Sequence, residues 1–277
     1  MSQRGFALLI VLLVMGFLSL LGTRMVAAGR VETRLAGNLR MAAMLDAAAD
    51  GAIAHAVFSL EAAHDPSFAM GASRELTISG ISVLVAIQNE ADRINLNTAS
   101  IPLLQALMVA LSVPPVQAAG LAAAIVDWHM ATDTPRPNGA KAPQYRAAGL
   151  GYGPPGTPFR DVAEIRNVLG VTQDLFARMA PHVTVWTDSD PDMSTRDPVV
   201  ARALADASGV ADDAGQALPG GTDVLRITAS ARGPDGGRTT IAAVVTGDFQ
   251  SGAPAVKVLW RAHCAAGDAT VITTSCF

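Results

Sequence analysis

Residues 1–29 read MSQRGFALLIVLLVMGFLSLLGTRMVAAG, and this stretch decides the architecture. One basic side chain, Arg4, precedes Gly5. From Phe6 to Thr23 there is no charge, and only Gly16, Ser19, Gly22 and Thr23 interrupt the apolar run. At about 1.5 Å rise per residue this run reaches roughly 27 Å as a helix, close to one bilayer core. Two readings compete. A secretory signal would use Arg4 as its basic region and be removed after Val26-Ala27-Ala28. A shorter leader, residues 1–5, would be removed after Gly5, leaving Phe6 as the new terminus and the helix in place. The apolar run exceeds the roughly 7–15 residues of a signal core. Helical periodicity also runs on past the supposed cut. Both facts favour the second reading.

That periodicity continues from Val26 to Ala63. Val31, Leu35, Met41, Leu45, Ala48, Ile53, Val57 and Leu60 recur at helical spacing, with Arg34, Arg40, Asp46, Asp50 and His55 between them. One helix is therefore expected to span the membrane over 6–23 and continue as an amphipathic segment over 24–64. Glu75–Ser79 and Ile81–Asn89 read as strands joined by a turn at Gly80. Two helices follow, from Ser100 to about Leu111 and from Val116 to Met130. Ser100 stands as N-cap and Pro102 lies in the first turn. Residues 131–158 read as a long ordered loop. Asp161–Leu169 and Thr172–Met179 read as short helices, His182–Trp186 as a strand and Pro198–Ala207 as a helix. The C-terminal part is β: Val224–Ala231, Thr239–Val245, Val256–Trp260 and Thr270–Thr274. A helical segment, 93–221, thus interrupts a small sheet domain formed by 65–92 and 222–277.

The formal charge of the 277-residue chain is −4, and residues 1–28 contain Arg4 and Arg24 with no acid. The remainder carries −6, which does not favour nucleic acid or anionic lipid as a partner. The five histidines are scattered, and no HExxH, Gly-x-Ser-x-Gly or P-loop pattern occurs, so catalysis is not expected. Trp128, Trp186 and Trp260 read as core anchors. The two cysteines, Cys264 and Cys276, would form a disulfide in an oxidising compartment, and reduced thiols are the alternative.

Arg4-Gly5-Phe6 before an aliphatic run resembles type IV pilins and the pseudopilins of type II secretion. Most members carry Glu at the fifth mature position, where this chain has Ile10. Minor pseudopilin K is the member that typically lacks it. Ile94-Asn95-Leu96-Asn97-Thr98-Ala99 resembles the motif that opens the inserted domain of that family. Asp127-Trp128, Gly139-Ala140-Lys141 with Tyr145, Pro158-Phe159, Glu164-Ile165-Arg166-Asn167-Val168-Leu169-Gly170 and Val183-Thr184-Val185 follow in the family's order. The resemblance implies an α+β fold: a pilin-like long N-terminal helix on a small antiparallel sheet, with an inserted mainly α-helical domain of SAM or helix-hairpin-helix type. It also implies cleavage after Gly5 by prepilin peptidase and methylation of Phe6. The location would be the bacterial inner membrane, single-pass, with the C-terminal domain in the periplasm. The partners would be minor pseudopilins I and J at the tip of the major pseudopilin filament, supporting protein export. A minor pilin-like component of a type IV or competence pilus is the alternative.

The opening motif also resembles helix-hairpin-helix DNA-binding domains of competence receptors. Their hairpins use glycine so that bare N–H groups approach phosphate. Here Leu111-Ser-Val-Pro-Pro-Val116 has none, and each proline lacks an N–H. An exported DNA-binding protein is therefore the weakest reading.

Pseudopilin K proteins are associated with calcium in the inserted domain, and calcium wants six to eight oxygens. Asp127 and Asp133 are candidate ligands, but Met130, Thr132 and Lys141 stand where acids are usual. Asp188, Asp190 and Asp192 form a second candidate set, without the Gly and Glu of an EF-hand loop. A solvated, turn-forming loop is the other reading of both.

Overall fold

The computed structural model describes residues 4–60, 71, 73–208, 223–247 and 256–264. Helix α1 spans Arg4–Phe58. The two halves of α1 differ in what surrounds them. Phe6 and every residue from Leu8 to Leu21 are exposed along a charge-free cylinder. The lower half buries one face, with Leu45, Ala48, Ala49, Ala52, Ile53 and Ala56 at three- and four-residue spacing. Most of these are alanine, so the helix axis approaches the sheet closely. A larger side chain at fully buried Ala52 would cost about 1–3 kcal/mol by overpacking. Gly51 serves the same approach, since a Cβ there would meet Ile78 Cγ2 at 3.4 Å.

The sheet holds β1 (Ser73–Ile78), β2 (Ile81–Asn89), β5 (Asp223–Arg232), β6 (Arg238–Gly247) and β7 (Lys257–His263), in the order β1-β2-β5-β6-β7. Every neighbouring pair is antiparallel. Alternate residues face α1: Val83, Val85 and Ile87 from β2, Leu225, Ile227 and Ala229 from β5, Ile241, Ala243 and Val245 from β6. Ser79 and Gly80 both have positive φ, 50° and 81°, which makes the tight two-residue hairpin that joins β1 to β2. The acids on α1 fasten it sideways. Asp46 accepts a hydrogen bond from the Thr239 hydroxyl at 2.8 Å, and Asp50 pairs with Arg261 of β7.

Between β2 and β5 lies a second core with its own elements: β3 (Ile94–Asn95), α2 (Ile101–Ala110), α3 (Pro115–His129), α4 (Ala142–Ala147), α5 (Gln173–Met179), β4 (Val183–Thr184) and α6 (Pro198–Ser208). Leu104, Leu107 and Met108 of α2 meet Leu121 and Ile125 of α3, with Val200 and Ala203 of α6 packed against them. Local caps set the helix starts: Ser100 Oγ accepts from Leu103 N at 3.3 Å and Thr172 Oγ1 from Leu175 N at 3.2 Å.

Four expectations are amended. The helix expected over Asp161–Leu169 is a 3-10 stretch, Val162–Asn167, capped by Asp161. The strand expected over His182–Trp186 shrinks to Val183–Thr184, because its partner β3 is itself only two residues long. The loop 131–158 contains the short helix α4. Of the three tryptophans only Trp128 is buried, at 5% exposure, while Trp186 and Trp260 are half-buried. The expected strand Thr270–Thr274 lies outside the described residues.

Candidate functional site

The Asn-Leu-Asn-Thr-Ala motif works as a stitch. Ile94 and Asn95 pair in parallel with Val183 and Thr184, and Leu96 N–H continues the pattern to Thr184 O at 2.9 Å. Asn95 Oδ1 accepts from Asn97 N–H at 2.8 Å, an Asx turn that redirects the chain toward α2, and its Nδ2 donates to the Thr187 carbonyl. Asn97 treats the Phe159 backbone as a strand would: Oδ1 accepts its N–H at 2.8 Å and Nδ2 donates to its carbonyl at 3.1 Å. Thr98 Oγ1 and Asn95 N–H both donate to Asp190 Oδ1, at 3.3 and 3.2 Å. Burial pushes the Asp190 carboxyl up to about 6, although these two hydrogen bonds pull it down.

Asp127 and Trp128 sit at the end of α3 and anchor the following loop. Trp128 stacks on Phe159 with ring centres 6.2 Å apart and tilts against Tyr145 at 6.1 Å. The Tyr145 hydroxyl accepts from Leu169 N–H at 2.9 Å, and burial pushes its pKa up to about 12. The fully buried Asp127 carboxylate accepts from Arg136 twice: N–H to Oδ2 and Nη1 to Oδ1, both at 3.1 Å. Gly139 makes room for it, since a Cβ there would fall 2.1 Å from Asp127 Oδ2.

The candidate calcium donors do not fit a calcium ion in this arrangement. Both Asp127 oxygens are engaged by Arg136, and Asp133 is exposed. Lys141 brings a positive charge to the same place, its Nζ donating to the carbonyls of Asp127 at 2.5 Å and Met130 at 2.6 Å. In the second set, Asp190 ties down the motif, Asp192 accepts from Ser194, and Asp188 faces solvent. Among the described residues no three acidic, histidine or cysteine side chains gather where a metal could be held.

Three features escaped the sequence reading. Fully buried Glu90 accepts from Arg93 Nη1 at 3.1 Å and pairs with Arg226 of β5, and Trp260 lies over the Arg226 guanidinium at 5.5 Å. Burial raises the Glu90 carboxyl, but Arg93, Arg226 and Thr184 outweigh it and hold it below its ordinary value. His182 Nδ1 lies 2.5 Å from Asp197 Oδ2, and Asp197 Oδ1 caps α6 through Val199 N–H at 2.9 Å. Burial raises the Asp197 carboxyl, but His182 and these N–H groups bring it below its usual range. The third is the placement of Lys141, which the sequence showed as a replacement for an acid but not as a donor to two carbonyls.

In the α2–α3 turn the N–H groups point inward: Leu111 N to Leu107 O, Ser112 N to Val109 O and Val113 N to Met108 O, each at 2.9–3.0 Å. No bare N–H cradle for phosphate forms at these three residues. Gly5 and Phe6 lie in the first turns of α1, and Ile10 is 45% exposed. Cys264 closes β7, its N–H bonded to Thr240 O at 2.8 Å, and Cys276 lies outside the described residues.

A long helix with an exposed apolar stretch over residues 8–21, its lower half lying on an antiparallel sheet interrupted by a helical domain, defines a pilin-like protein with an insertion. Within that class the chain is similar to type II secretion system protein K. Residues 81–188 match the family model of type II secretion system (T2SS), protein K. The chain is 28% identical over 207 residues to type II secretion system protein K of Klebsiella pneumoniae, covering 67% of this chain and 64% of that protein's length. The fold is that of a chain in the crystal structure of the GspK-GspI-GspJ complex from the enterotoxigenic Escherichia coli Type 2 Secretion System. The TM-score is 0.63 at 16% identity, over 85% of this chain and 100% of that one.

Proposed function

We propose that this protein is a minor pseudopilin of K type, a structural subunit at the tip of a type II secretion pseudopilus. The observation that carries this reading is the match over 81–188, which spans β2 and most of the inserted core. Prepilin peptidase cuts after Gly5, and Phe6 begins the mature helix. Residues 6–23 hold the chain in the inner membrane, and the sheet and the insertion, 93–221, stand in the periplasm. Minor pseudopilins I and J are the immediate partners, as GspI and GspJ are of the solved GspK, and the major pseudopilin filament continues below. A disulfide between Cys264 and Cys276 pins the tail in that compartment.

The role is scaffolding. The His182–Asp197 pair has the look of a catalytic dyad, but its carboxylate is spent on the α6 cap through Val199 and Val200 N–H. The test is the intact mass and N-terminal sequence of the protein from membranes of a host with its own prepilin peptidase, followed by co-purification with I and J. N-methylated Phe6 and a recovered ternary complex are expected. A chain beginning at Gly29 overturns the reading.

A further inference from the structure

The loop between α3 and α4 is closed as a cation site is closed. Two backbone carbonyls, Asp127 O and Met130 O, converge on one positive centre, and a buried carboxylate stands beside them. Hard oxygens so arranged are what a divalent cation selects. The positive centre is the Lys141 ammonium, on a side chain only 5% exposed. The neighbouring Asp127 carboxylate is paired with a second cation of the chain, Arg136, at 3.1 Å. Lengths match as well. A lysine ammonium lies about 6 Å from its own Cα, as does a calcium ion 2.3–2.6 Å beyond an aspartate oxygen.

The geometry points to a loop that carries its own cations: Lys141 and Arg136 do internally what a bound divalent ion would do, and residues 127–141 hold their shape with no metal. This holds independently of the assembly proposed above. It makes Lys141 a positioning residue for the Asp127–Trp128 end of α3.

The test is hydrogen exchange of residues 127–141 in the full-length chain in detergent micelles, with excess CaCl2 and with EDTA. In the wild-type chain protection is expected to be the same in both media. Lys141→Met leaves the buried Asp127 carbonyl and the half-buried Met130 carbonyl without their lysine donor, so exchange there should rise about tenfold or more in both media. Lys141→Asp should exchange fast in EDTA and regain protection in CaCl2, because an aspartate with its ion spans the distance the lysine spanned. Wild-type protection that falls in EDTA overturns the inference. So does a Lys141→Met chain that exchanges like wild type, or a Lys141→Asp chain that calcium does not rescue.

Discussion

Asp190 is the acid whose titration bears on stability. Burial lifts its carboxyl from an ordinary 3.8 to about 6. Between those values the folded chain keeps a proton that the unfolded chain has released, so this contribution is greatest at the acid side and declines as pH rises through the window. Asp190→Asn retains an acceptor for Asn95 N–H and the Thr98 hydroxyl. It is expected to flatten the stability profile between about pH 4 and 6 and to gain about 1–2 kcal/mol at neutral pH. Thermal melts across that range check it, and a slope equal to wild type contradicts it. Some of this site was legible from residue type alone. Ser100 was readable as a cap because a cap bonds within three residues. Asp190 was readable only as one acid in a charged run, since the groups it serves lie 92 and 95 residues away. Lys141 was harder still. It was legible as a replacement for an acid, but the two carbonyls it serves become visible only when the loop folds around it.

At the scale of elements, the junction between sheet and insertion depends on Glu90, in the 3-10 turn that ends β2. It meets Arg93 on the way into the insertion and Arg226 on the strand that returns from it. Removing the acid of a buried ion cluster takes away the main charge opposing its two arginines, which costs more than the cluster contributes when intact. Glu90→Ala is expected to destabilise the chain by about 3–5 kcal/mol. Glu90→Gln should cost less, and chemical denaturation of the two variants distinguishes them. A Glu90→Ala chain within about 1 kcal/mol of wild type would show that water reaches the arginines. The strands and major helices were readable in order because their periods, two and 3.6, are local properties of the chain. The Glu90–Arg226 pair, 136 residues apart, has no local signature. The expected strand at His182–Trp186 was read too long because alternation reveals apolar content without revealing how long a partner strand will be.

At the scale of the whole molecule, Phe6 and residues 8–21 of α1 form an exposed apolar cylinder. Ile10 lies on that cylinder, where a carboxylate is costly unless a neighbour pairs with it. A terminal subunit has no neighbour above to do so. Ile10→Glu is therefore expected to leave membrane insertion intact and to reduce recovery of the complex with I and J. Membrane fractionation and co-purification measure the two separately, and secretion at wild-type level would count against this account of the position.

The insertion also sets an order of events. It departs after Asn89 and returns by Leu225, and these two residues sit opposite each other in adjacent strands. For a disordered chain, pairing them means closing a loop of well over a hundred residues, and the entropy of closure grows with its length. Once the helical core has formed, most of that loop is already closed, and what remains to be closed runs only from the end of α6 at Ser208 to the start of β5 at Asp223, so β2–β5 pairing costs far less entropy. The central seam of the sheet, and with it the seat on which α1 lies, should then be among the last parts to lock. Pulsed amide labelling during refolding is expected to find α2 and α3 protected before β5. The chain would build its inserted domain first and the body of sheet and long helix around it.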